Sequence, residues 1–155
     1  MLYLLIKTLH ILSATFMFGT GFGTAFYMFF TNRSKNVQAI AVVTRWVARA
    51  DWWFTTPSVI FQPLSGYWMM RQAGWPVAWN WVGLALLLYV IAGMCWLPVV
   101  WLQLRMRDMA QKAAGQGHST LPAVYWRYEK LWTVLGFPAF GGLLVVYWLM
   151  VAKPF

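Results

Sequence analysis

Charge is scarce in this sequence. Only 10% of its 155 residues are charged, and just three are acidic; an ordinary soluble domain carries roughly 25% charged residues. With 61% hydrophobic residues, a soluble fold of one domain's length could not hide the apolar surface, so a water-soluble enzyme or binding module is excluded. A bilayer removes the difficulty, because lipid solvates the outer face. Cysteine is nearly absent as well. The single Cys95 sits mid-run among apolar residues, so no internal disulfide can form, and a lone buried cysteine acts as a small hydrophobe. Histidine occurs twice, at His10 and His118, which is too few and too far apart for a zinc set. No glycine-rich phosphate loop follows a strand pattern. A cleavable signal peptide is not expected, because the first apolar run is too long for one and lacks a small-residue cleavage site.

Long apolar runs and aromatic residues are plentiful. The expected fold is all-α: a polytopic four-transmembrane-helix bundle forming one domain, with spans at about 2–30, 52–70, 81–104 and 131–151. An amphipathic extension, Val37 to Arg49, precedes the second span and reads as an interfacial entry. Pro57 and Pro63 kink that span, which a membrane helix tolerates when neighbours satisfy the freed carbonyls. Trp75, Trp79 and Trp81 form an expected aromatic belt in the second loop, among 12 tryptophans and 7 tyrosines in all.

The net charge of +9 flanks apolar runs rather than forming a basic stripe, so nucleic acid is not an expected partner. Nine of the 12 basic residues lie in the first and third loops and the helix ends beside them. The positive-inside rule puts those loops in the cytoplasm and both termini in the periplasm of a bacterial inner membrane. Membrane lipids are the expected partners, with a homodimer or larger membrane complex as the assembly.

Ionisable groups within a span are functional candidates by default. Lys7 and His10 share one face of the first helix at i, i+3, and His10 lies about 13 Å along it. One reading makes His10 an axial haem ligand, since imidazole is a common one, with Lys7 meeting a propionate. The other makes it a structural histidine bonded to a hydroxyl or carbonyl of a neighbouring helix. No second axial ligand is identifiable; Met69, Met70 and Met150 share only the depth. Ser58, Gln62 and Ser65 are candidates for hydrogen bonds across the bundle, and Gly19 and Gly23 for close helix packing. At the basic end, Arg45, Arg49 and Arg127 surround the acids Asp51 and Glu129. These acids are expected in ion pairs between helices; alternatively, the arginines form a pocket for an anion or lipid headgroup.

The opening Tyr3-Leu4-Leu5-Ile6-Lys7-Thr8-Leu9-His10-Ile11, then Thr55-Thr56-Pro57-Ser58 and Gln62-Pro63-Leu64-Ser65-Gly66, resembles a family of small bacterial predicted integral membrane proteins of unknown function, over nearly the whole chain. More distantly, Lys7-Thr8-Leu9-His10, Arg45 and Arg49 before Thr56-Pro57, Arg127-Tyr128-Glu129 and Lys153-Pro154-Phe155 resemble HemJ-type protoporphyrinogen IX oxidases. That resemblance implies haem b at His10. The functional lysine that follows a tryptophan early in the third HemJ helix has no counterpart in Trp79-Asn80-Trp81-Val82-Gly83, and the polar step of the last helix is altered to Tyr128-Glu129-Lys130-Leu131. The oxidase activity is therefore not carried over. The expected function is a HemJ-like haem b protein with a redox role. The alternatives are a non-enzymatic accessory or lipid-binding bundle and, ranked last, a small transporter, since internal repeats are lacking.

Overall fold

A computed structural model describes residues 1–76, 78 and 80–154. Two residues used above, Trp79 of the aromatic belt and Phe155 of the chain end, lie outside the described residues. The elements are α1 (Leu2–Arg33), α2 (Val37–Ala50), a π-helical turn (Asp51–Thr55), α3 (Thr56–Gln72), α4 (Trp81–Gly115) and α5 (Ala123–Ala152). No strand occurs among the described residues.

The helix ends follow local chemistry. Asn36 caps α2, its side-chain oxygen accepting from the Ala39 N–H at 3.1 Å, and Asn80 caps α4 through the N–H groups of Val82 and Gly83. Gly74 and Gly117 follow α3 and α4 at φ +70. Bonds from Trp75 N–H to the Met70 carbonyl and from His118 N–H to the Ala113 carbonyl close those helices, the Schellman arrangement that a left-handed glycine permits.

The second rod departs from the sequence reading. Residues 37–49 do not form a separate interfacial entry. The backbone stays helical from Val37 to Gln72, because Ala50, Asp51, Thr55 and Thr56 all hold right-handed helical angles. Pro57 has no N–H to offer the carbonyl four residues back. The chain accommodates this with the π-turn, in which Thr56 N–H reaches the Asp51 carbonyl. The irregularity expected at Pro57 is therefore a widened turn inside one rod.

Above and below that turn the rod packs differently. α2 lies against α4 and α1, α3 lies against α1, and α4 and α5 run along each other. The conventional core sits at the basic end, where Ile40, Leu102, Met106, Ala110 and Tyr125 are buried together. Tyr125 donates to the Asn32 side-chain oxygen at 2.7 Å, tying α5 to the end of α1. Toward the opposite end, large apolar side chains such as Leu64, Met94 and Val134 face outward, as a lipid-facing surface requires.

α1, α4 and α5 are long and apolar enough to cross a membrane. The α3 segment has 17 residues and carries Ser58, Gln62 and Ser65, all buried; the side chains of Gln62 and Ser65 bond to α1. Cation–aromatic pairs mark two levels: Arg105 lies over Trp101, Arg33 over Phe29 and Arg49 over Trp46 at the basic end, and Lys153 lies over Trp75 and Trp81 at the other. Along α4, Trp81 and Trp101 are about 30 Å apart at 1.5 Å per residue, which matches a hydrocarbon core of about 30 Å.

Tyr125→Phe removes a buried donor and leaves the Asn32 side chain without a partner, since its amide nitrogen already has none. The variant is expected to lose about 1–3 kcal/mol of stability in detergent, read by chemical denaturation.

Candidate functional site

His10 lies in the seam between α1 and α3. Its Nδ1 is 2.7 Å from the Ser65 hydroxyl. That hydroxyl donates back to the Phe61 carbonyl at 2.6 Å, so the proton of the pair belongs on Nδ1 and the histidine donates. Nε2 then keeps its lone pair. Gln62 donates to the His10 carbonyl at 2.7 Å, and Ser13 reaches the Ser58 carbonyl. Gly66 leaves room for the ring: a Cβ there would stand 3.4 Å from the imidazole Cε1. The expected cross-bundle bonding is thus realised by the side chains of Gln62 and Ser65, while Ser58 takes part through its carbonyl; all of it joins α1 to α3. Lys7 is exposed one turn away.

A larger feature lies elsewhere. A cavity of about 380 Å³ occupies the gap between the α1–α3 and α4–α5 pairs. Its walls are mostly aromatic rings and small residues, including Phe29, Trp96, Phe140, Gly93 and Gly136. Phe22, Phe26 and Phe137 line it and are also 58%, 51% and 75% exposed, so it opens sideways between α1 and α5. On its far side from the basic end an aromatic cluster bridges these helices, with Phe140 packed edge-on to Phe18 and Phe22 and seated over Gly21.

The cavity ends in a polar floor near the level of the basic-end cations. The π-turn brings Asp51 and Thr55 inward, and the Thr55 hydroxyl donates to Asp51 Oδ1 at 2.8 Å. Gln103 of α4 and Trp132 of α5 complete the floor. Asp51, Gln103 and Trp132 are only 7%, 6% and 5% exposed, yet Gln103 Oε1 and Trp132 Nε1 have no hydrogen-bond partner. A buried polar atom without a partner costs about 1–3 kcal/mol; both atoms are sealed from the cavity space, although their side chains line it.

Tyr89 holds the cavity's edge. Pro63 cannot donate to the Val59 carbonyl four residues back, and the Tyr89 hydroxyl of α4 donates to that carbonyl at 2.7 Å. This bond joins α3 to α4, which otherwise have little in common.

The ion pairs expected of Asp51 and Glu129 do not form. The one salt bridge among the described residues joins Arg107 to Asp108 at 2.7 Å. Asp51 faces inward to Thr55, while Arg45 and Arg49 face outward and lie over the exposed ring of Trp46. Residues two and six apart on a helix do not share a face, so neither arginine points the way Asp51 does. Glu129 feels the charges of Arg33 and Lys130 without closing a bridge to either. Arg127 lies on α5, whereas Arg45 and Arg49 lie on α2. A groove of about 400 Å³ between α4 and α5 carries Arg105, Lys112 and Asp108 instead. Gly19 and Gly23 pack against nothing, since a Cβ at either would meet no atom within 4 Å.

Residues 4–154 match the model of a family described as predicted integral membrane protein (DUF2269). The chain belongs to that family. No curated protein and no solved structure matches it. The family match spans both the His10 seam and every wall of the cavity, so both belong to the family domain.

His10 and Asp51 stand out in the sequence as ionisable groups, whereas Gln103 and Trp132 do not. A glutamine within an apolar span is the available signal for Gln103, as it is for Gln62; Trp132 is one of many tryptophans.

Tyr89→Phe is expected to lose about 1–3 kcal/mol of stability by leaving the Val59 carbonyl unpaired. In a Pro63→Ala background the same change is expected to cost clearly less, because the substituted alanine restores the backbone donor. Equal losses in both backgrounds, measured by denaturation in detergent, would contradict this account of Tyr89.

Proposed function

We propose that this family member is a four-crossing protein of the bacterial inner membrane that binds a lipophilic molecule in the lateral cavity between its helix pairs. The observation that carries the reading is the cavity itself, an apolar space that opens toward lipid between α1 and α5. Its size falls within the ordinary range for ligand sites, about 300–1,000 Å³. The chain counts as crossing four times because the 37–72 rod runs between the same two cation–aromatic levels as α4. Arg49 lies over Trp46 toward one level and Arg71 over Tyr67 toward the other. With the nine basic residues inside, both termini face the periplasm.

A second reading keeps His10 as the axial ligand of haem b in a HemJ-like redox protein. One observation favours it: the bond to Ser65 fixes the imidazole with Nε2 free, as partners of ligating histidines do. His10 would hold the iron and Lys7 would meet a propionate; bound haem would supply one-electron chemistry. The fit is partial, because His10 does not border the cavity. Protein purified from cells grown with ample haem would show a Soret band, lost in His10→Ala, if this reading holds. A colourless protein contradicts it.

The cavity reading has its own test. A Cβ at Gly93 or Gly136 meets nothing within 4 Å, so a side chain can enter the cavity at either position. Gly136→Leu is expected to fold normally, since leucine is the better helix former by a little under about 1 kcal/mol, and to lose a lipophilic adduct seen on the wild type by native mass spectrometry. A wild type free of any adduct, or an adduct kept by both Gly93→Leu and Gly136→Leu, contradicts the proposal.

A further inference from the structure

Asp51 carries the one carboxyl lining the lateral cavity, and none of the chain's 12 basic residues joins it there. The groups that meet this carboxyl are neutral. Oδ1 accepts from the Thr55 hydroxyl at 2.8 Å, and the Gln103 side chain lies beside it. Oδ2 accepts no hydrogen bond among the described residues, and unlike Gln103 Oε1 and Trp132 Nε1 it is not sealed. The acid therefore keeps an open oxygen at the end of a space that opens toward lipid.

Charge restricts the occupant. A carboxylate away from water is costly unless a cation pairs with it. The chain supplies no such cation, so the occupant that completes the pair brings its own. A carboxylate or phosphate head would meet a like charge instead. A bare hard metal ion asks for about six oxygen ligands, and no group of three or more His, Cys, Asp or Glu gathers among the described residues. An alcohol could donate to Oδ2, but without the gain that charge adds to a hydrogen bond. An ammonium group donates with that gain.

The walls suit the same choice. Phe29, Trp96 and Phe140 present rings, whose faces attract a cation where aliphatic walls would not. The acid lies near the basic-end level and the apolar space runs toward the membrane centre. An amphiphile entering from that leaflet would bring its charged head to Asp51 and its apolar body to the rings. The negative potential of a cytoplasmic leaflet gathers cations at its surface.

We propose that the cavity takes a lipophilic ammonium ion whose nitrogen pairs with Asp51, an assignment that rests on the cavity reading above. Equilibrium dialysis of the full chain in matched neutral detergent, at neutral pH, tests it with three probes of one body: 4-phenylbutylamine, 4-phenylbutanol and 4-phenylbutanoate. The net charge of +9 favours the anion over most of the protein surface, so a preference for the cation has no general source. The amine is expected to bind about tenfold more tightly than the alcohol, the margin of a charge-assisted over a neutral hydrogen bond, with the butanoate weakest. Asp51→Asn is expected to bring the amine to the level of the alcohol. Unchanged alcohol binding in that variant shows that the cavity still forms. Gly93→Leu and Gly136→Leu, which place a side chain in the cavity, are expected to weaken amine and alcohol alike, and they carry the test if Asp51→Asn does not fold.

Equal binding of amine and alcohol, or tighter binding of the butanoate, overturns the cation and leaves the cavity reading standing. An amine preference that survives Asp51→Asn, or is kept by both leucine variants, overturns the site. If none of the three probes binds, the cavity reading itself fails, and the ligand class falls with it.

Discussion

One missing hydrogen-bond donor shapes this protein. Pro57 has no N–H, and the rod from Val37 to Gln72 absorbs the loss in a π-turn rather than breaking. The extra residue in that turn changes which side of the rod faces the bundle. Before it, Val37, Ile40, Ala41, Thr44 and Val47 are buried against α4 and α1. After it, Ser58, Gln62 and Ser65 are buried, and their bonds to other helices run to α1. The turn itself carries Asp51 and Thr55 inward while Trp52 and Trp53 face out. Because the rod follows α1 beyond the turn, a gap opens between it and the α4–α5 pair, and that gap is the cavity.

Inside a bilayer every polar group must find a partner within the protein, and most of this molecule obeys. Tyr89 supplies the donor that Pro63 lacks, Thr44 bonds back to the Ile40 carbonyl, and His10 pairs with Ser65. The unpaired buried side-chain atoms among the described residues are therefore informative. One, the Asn32 amide nitrogen, belongs to the packed basic-end core. The other two, on Gln103 and Trp132, share the cavity floor with a carboxylate. The acid beside them, at the end of a cavity that opens toward lipid, is itself the functional candidate, since ionisable residues at such positions mark function.

Much of the architecture was legible in the residues. Apolar run length located α1, α4 and α5, and turn residues located the loops around Asn36, Gly74 and Gly117. The polar residues of α3 were readable as cross-bundle hydrogen-bonding groups because apolar spans seldom carry them without use. The rod's continuity was not legible: the amphipathic pattern of residues 37–49 describes equally a helix lying at the interface and one packed upright against α4. The partner of Asp51 was not legible for a similar reason. Arg45 and Arg49 lie close to it in sequence, but positions two and six apart on a helix do not share a face. The cavity was invisible because its walls come from four separate stretches of chain, whose phenylalanines and glycines each read locally as lipid contact or helix packing.

The account stands on the floor formed by Asp51, Gln103 and Trp132, and a high-resolution structure of the full chain in lipid nanodiscs tests it most directly. The account predicts an elongated density entering between α1 and α5 and filling the space between Phe140 and the turn that carries Asp51 and Thr55. A collapsed cavity, or one filled by isolated waters alone, would contradict it.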